Sequence, residues 1–180
     1  PMLGARQTEV HDAEITLRLS SSAIDTSSQQ SYTSTSWLVL NESAGGMAMS
    51  KEPQSNVQVR VGEILGVRTD RSAEWNIVLV RWVHSKDAAH LELGAQMLAP
   101  TAAAVVLSPT LGSESNIRIP ALLLPAIPSL NRPALLTVSR GTYAPQREFR
   151  LLRSEGDVRI RASQLSSHTN SVEIFEFTET

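Results

Sequence analysis

Asn41-Glu42-Ser43-Ala44-Gly45-Gly46 is the one stretch of this chain whose residue types point at chemistry. An Asn-x-Ser-x-x-Gly corner offers a side-chain amide that both donates and accepts, a hydroxyl, and backbone N–H groups that glycine leaves open to close approach. Such groups can meet the edge of a base and the oxygens of a phosphate. The same residues also build an ordinary sharp turn between strands, because Asn tolerates left-handed backbone and glycine supplies positive φ. From six residues alone, both readings stand.

The remaining candidates for chemistry are sparse. His11, His84, His90 and His168 are scattered, without the spacing or acidic pairing of a metal site. Gly45-Gly46 lacks the spaced glycines and Lys-Ser/Thr of a phosphate loop, and Ser43 lacks the flanking glycines of a nucleophile elbow. There are no cysteines, which removes thiolate ligands, disulfides and cysteine nucleophiles. No catalytic residue, metal site or cofactor is expected, and the chain reads as a non-enzyme.

The corner must be held by strands. Trp37–Leu40 reads as a buried strand entering it and Met47–Met49 as a short strand leaving it. Upstream, Pro1 to Asp12 reads as an arm, and Glu14–Leu19 alternates polar and apolar as a half-buried strand does. Ser20–Ser36 holds eleven Ser or Thr in seventeen residues and reads as a loop that cannot bury enough to offset its ordering entropy. Downstream, Val57–Val61 and Glu63–Val67 alternate, Trp75–His84 has the β-branched and aromatic content of a central strand, and Leu91–Leu98 follows. Five or six short strands within about sixty residues indicate a small antiparallel barrel. Trp37, Trp75 and Trp82 are expected in its core.

A composition change at Pro100 marks a boundary between residues 1–99 and 100–180, the latter reading as a second β unit or as an extension that completes the first. In the second, prolines punctuate Ala/Leu/Val-rich pieces. Thr101–Leu107, Ile117–Leu124, Ala134–Val138, Glu148–Leu152, Val158–Ala162 and Val172–Phe177 read as strands, with a helical turn possible over Gln164–Asn170. Arg147, Arg150, Arg153, Arg159 and Arg161 are the one basic concentration. Alternating spacing puts Arg159 and Arg161 on one strand face, which reads as a solvated face answering Glu148, Glu155 and Asp157, with an acidic partner or anion as the other reading.

The 180 residues carry a net charge of −2, with 41% apolar and 19% charged residues, which is ordinary for a globular chain and unsuited to holding long nucleic acid. Apolar runs are short and cut by prolines, so no membrane span is expected. No basic stretch followed by an apolar core opens the chain, and the compartment is read as cytoplasmic. Pro1 in place of Met is what a fragment would show.

In this setting the chain resembles the PilZ family, small bacterial β-barrels that bind cyclic di-GMP. The resemblance runs from about Trp37 to Leu98 and rests on Asn41–Gly46 after a Val/Leu strand, the Gly-Met-Ala-Met strand after it, Val80-Arg81-Trp82-Val83, and Leu93–Leu98. It implies an all-β protein, a PilZ-like antiparallel β-barrel followed by a second β unit, acting as a second-messenger receptor that relays ligand binding to a protein partner. It assigns Asn41 to a guanine edge, Ser43 to base or phosphate, and Gly46 to close backbone approach.

One feature of the family is absent. PilZ domains that bind the ligand carry Arg-x-x-x-Arg ahead of the first barrel strand, and arginine suits the task because its planar fork clamps phosphate and meets guanine O6/N7. Here Arg6 is followed four positions later by Val10, and Arg18 by Ser22. Arg6 is assigned a phosphate contact, and Arg60, Arg68 and Arg81 are candidates to supply the second arginine. The alternative is a degenerate PilZ fold without nucleotide binding that serves as a protein-interaction module.

Overall fold

The computed structural model describes the backbone of residues 11–16 and the full residues 34–51, 58–69, 74–85, 90–110 and 117–180. Strands dominate: β1 (His11–Thr16), β2 (Thr35–Ser43), β3 (Gly46–Lys51), β4 (Ile64–Thr69), β5 (Asn76–Ser85) and β6 (Leu91–Ala99) form one sheet. β7 (Ala103–Pro109), β8 (Ile119–Leu124), β9 (Leu135–Ser139), β10 (Glu148–Leu152), β11 (Val158–His168) and β12 (Val172–Glu179) form another. The one helical element among the described residues is a 3-10 turn at Pro128–Leu130.

Each sheet closes into a barrel, the first in the order β1-β2-β3-β6-β5-β4 and the second in the order β7-β8-β9-β12-β11-β10. Every neighbouring pair is antiparallel, and closure comes from β1 on β4 and β7 on β10. The two orders are the same connectivity repeated six strands later. Closure also removes the unpaired edges that would otherwise invite aggregation.

Alternation along each strand fills each barrel. Trp37, Val39, Met47, Met49, Val78, Val80 and Leu93 pack inside the first. Leu107, Leu136, Val138, Phe149, Leu151, Ile160 and Phe175 pack inside the second, with Phe149 stacked on Phe175 at 6.3 Å between ring centroids. A third apolar cluster lies between the barrels: Ile64, Ile77, Leu79 and Ala99 meet Leu124, Leu135, Val172 and Ile174. This is why β5 and β9 read as unbroken apolar runs, since strands covered on both faces lose the alternation of a half-exposed strand.

Polar contacts join the barrels as well. Thr169 Oγ1 donates to the Gly62 carbonyl at 2.9 Å, and Arg132 Nη1 donates to the Leu98 carbonyl at 2.7 Å. Gly62 sits at φ 89°, where an added Cβ would press on the Thr169 side chain at 2.9 Å, so glycine is required twice over.

Several sequence expectations shift. The first strand begins at His11, three residues before the expected Glu14, while residues 17–19 of that expectation lie outside the described residues. Residues 58–62 form a turn with Val59 buried instead of an alternating strand. β11 runs on to His168 across the segment read as a helical turn. The Ser-rich loop gives up Thr35 and Ser36 to β2, while residues 20–33 of it, like the arm at residues 1–10, lie outside the described residues.

Candidate functional site

The Asn-x-Ser-x-x-Gly corner is a hairpin. β2 continues through Ser43, Ala44 and Gly45 make the turn, and Ser43 pairs with Gly46 at the start of β3. Ser43 Oγ donates to the Gly46 carbonyl at 3.2 Å, and the Gly45 carbonyl accepts from the Met97 N–H at 2.9 Å, which pins the tip to β6. A Cβ on Gly46 would run into the Ala95 carbonyl. The space glycine leaves is therefore filled by β6, giving Gly46 a packing role in addition to lining the site.

Strict alternation would place Asn41 and Ser43 on the same face as Trp37 and Val39, inside the barrel. A bulge between Val39 and Asn41 prevents this. Val39 opposes Met49, which is in the core, but Asn41 opposes Ala48 on the outer face. Both Asn41 and Ser43 are exposed.

A second bulge does the same on β5. Val78 and Val80 point into the barrel, and Trp82 would follow them by alternation. The register shift between Val80 and Trp82 instead sets Trp82 opposite Gly94, outside. Trp82 is 45% exposed, and a Cβ on Gly94 would overlap its indole. The expectation that Trp82 is a core residue is thus corrected, and the cause is the bulge. Trp37 is fully buried as expected, whereas Trp75 is half-buried with the Arg68 guanidinium 4.9 Å from its ring centroid.

These registers align four strands into one outward row, Asn41–Ala48–Gly94–Trp82. The two central residues are the small ones, so the row has a low floor between an amide and an indole. Gly46 opposes Gln96 in the adjoining row. A shallow cavity of about 340 Å³ results, lined by Asn41, Ser43, Gly46, Arg81, Trp82 and Gln96 among others. That volume lies at the lower end of the range for small-molecule sites, roughly 300–1,000 Å³.

Of the three arginines considered as substitutes, only Arg81 lines this cavity. Arg68 lies over Trp75, and the Arg60 backbone N–H is bonded to Glu63 Oε2 at 3.0 Å, away from the corner. Arg6 lies outside the described residues. Sequence reasoning missed Trp82 and Gln96 as members of the site. The small residues Ala48 and Gly94, paired across β3 and β6, leave room that a large neighbour can cover, but that pairing spans two intervening strands and no local pattern announces it.

A second cavity of about 370 Å³ opens between the barrels and shares Arg81 and Gln96 with the first. Its far wall includes Leu130, Asn131 and Arg132, from the connection between β8 and β9. Among the described residues no group of three or more His, Asp or Glu is placed to hold a metal ion, and no helix is long and apolar enough to cross a membrane.

Comparison with known proteins agrees with this architecture. Residues 104–180 match a family model described as the FimW C-terminal beta-barrel domain. The chain is 32% identical over 103 residues to the cyclic-di-GMP receptor FimW of Pseudomonas aeruginosa, covering 57% of this chain and 17% of that protein. The chain thus spans a small part of the curated relative it matches. No solved structure matches. Residues 3–104, more than half of the chain and including the hairpin and the Trp82 row, match the model described as the middle PilZ domain of the cyclic-di-GMP receptor FimW, and the chain belongs to that family.

Proposed function

We propose that this chain is a cytoplasmic receptor for cyclic di-GMP that passes its ligand state to a partner protein. The carrying observation is the double bulge, which turns Asn41 and Trp82 outward at the two ends of one cross-strand row. Bulges of this kind re-aim side chains beside functional sites. A guanine laid over Gly94 and Ala48 would stack on the indole, an interaction worth roughly 1–3 kcal/mol per base. Asn41 and Gln96 present amides to a base edge, and Ser43 presents a hydroxyl to base or phosphate.

Arg81 takes the part of the second arginine. It is exposed at the cavity wall and carries the planar fork suited to phosphate or guanine O6/N7. Arg6 is assigned to phosphate, and Gly46 lines the approach. The relative's printed description as a cyclic-di-GMP receptor supports the choice of ligand. The reading is one of binding, and no residue is assigned a catalytic part.

Titration calorimetry with cyclic di-GMP tests it. Binding should be measurable, and Asn41→Ala and Ser43→Ala should each weaken it by about tenfold, the loss of one strong hydrogen bond. A folded protein that gives no heat with excess ligand would sink the proposal. The second reading, a PilZ barrel without ligand that serves protein interaction, would then stand, and it is favoured by the lack of an Arg-x-x-x-Arg before the first strand within these 180 residues.

A further inference from the structure

The second barrel carries a basic row that its own strands leave uncompensated. Arg150 on β10 stands directly opposite Arg159 on β11 and, on its other side, opposite Ser108 on β7. The β7–β8 register ends with Leu107 opposite Ile119, and Arg118 is the residue immediately before Ile119. Across β7, β10 and β11 the outward order is Ser108, Arg150, Arg159, and Arg118 adjoins the Ser108 end from the residue just before β8. All three arginines are exposed, while Ser108 is 5% exposed and forms a low floor between two of them.

Like charges directly opposite on adjacent strands destabilise a sheet. The neighbouring outward row shows the same strand pair avoiding that cost, for Arg161 opposes Glu148 and binds its Oε1 at 2.8 Å. Among the described residues, Arg118, Arg150 and Arg159 make no hydrogen bond or ion pair through their side chains. Among the described residues, the acidic answer expected from Glu148, Glu155 and Asp157 comes from Glu148, and it goes to Arg161. Overall basicity is not the cause, since the chain carries −2.

We infer that this row docks an acidic segment of a protein partner. In the ring of the second barrel, β7 and β10 stand opposite β9 and β12, whose outer faces are covered by the first barrel. The row therefore lies on the wall turned away from the inter-barrel contact and from the Asn41–Trp82 cavity. Adjacent strands are about 4.8 Å apart, so neighbouring guanidinium forks can each take a carboxylate from one extended acidic segment. Three arginines on a negatively charged chain supply too few phosphate contacts to hold nucleic acid at physiological salt.

Fluorescence anisotropy with a labelled hexaglutamate peptide and the full chain tests the inference, with anionic lipid vesicles and a single-stranded RNA as separate arms. The peptide should bind, more weakly as salt rises. The double variant Arg150→Gln, Arg159→Gln should lose at least about tenfold in affinity, while Arg161→Gln should change it little. Arg159→Glu, which sets a carboxylate opposite Arg150, should raise the melting temperature while abolishing peptide binding. Peptide that fails to bind, or binds the double variant equally well, would overturn the inference. So would vesicles or RNA binding in its place, or a lower melting temperature for Arg159→Glu. None of these outcomes depends on cyclic di-GMP.

Discussion

At the scale of single residues, the candidate site rests on one large side chain over one absent one. Trp82 covers Gly94 because any Cβ there would occupy the position of the indole. Trp82→Ala is expected to weaken cyclic di-GMP binding by about tenfold or more, in line with a lost stacking contact. Trp82→Phe should keep most of it, and neither should cost much stability, since Trp82 is outside the core. Calorimetric titration and thermal melts of both variants check this. Asn41 and Ser43 could be picked out from the sequence because their spacing is local. Trp82 could not, because it shares parity with Val78 and Val80 and only the bulge separates them. A different residue shows a cost rather than a use. Thr137 is fully buried, and its Oγ1 has no hydrogen-bond partner among the described residues. Thr137→Val keeps the shape and removes an unsatisfied hydroxyl, so it should stabilise the fold by about 1 kcal/mol, readable by urea denaturation.

Elements were readable where one face is wet and the other dry. β6 and β10 alternate or carry apolar runs bounded by polar turns, and their ends fall within a residue of the sequence reading. The sequence reading of β11 stops at Ala162 because Leu165 is the one apolar residue of Ser163–His168 and the pairing is broken by register shifts around it. Its strand character comes from pairing with β12, which no local pattern announces. The connection between β9 and β10 is likewise held from a distance. One carboxylate, Glu173 on β12, accepts the backbone N–H groups of Gly141, Thr142 and Tyr143 at 3.0, 3.0 and 2.8 Å. Glu173→Ala leaves three donors without that acceptor, and hydrogen bonds to charged groups contribute about 1.5–3 kcal/mol. The variant should unfold at lower urea with an unchanged slope and retain the ligand affinity of the parent protein.

For the whole molecule, the repeated connectivity makes the β8–β9 connection the counterpart of the β2–β3 hairpin. The first barrel's hairpin bears the Asn41–Gly46 corner. The second barrel's counterpart carries Arg132, which reaches the Leu98 carbonyl on β6, two residues beyond Gln96. Gln96 and Arg81 line both the candidate ligand cavity and the inter-barrel cavity. Groups that would contact the ligand are thus walls of the joint between barrels. The apolar cluster from Ile64 to Ile174 and the Thr169–Gly62 bond close that joint further. The composition change at Pro100 announced a second unit, but not this joint, because residues such as Leu79 and Leu135 carry no mark of which barrel they cover. Barrels joined by a shared buried cluster should unfold together. Scanning calorimetry of the full chain should give one transition that cyclic di-GMP shifts upward as a whole, by mass action on the folded state. Ile174→Ala, which opens a cavity in the shared cluster at a cost of about 2–5 kcal/mol, should lower that transition. Where it also divides the transition in two, only the component of the first barrel should follow the ligand. Two transitions in the parent protein, with the ligand moving one alone, would show that the joint does not couple the barrels.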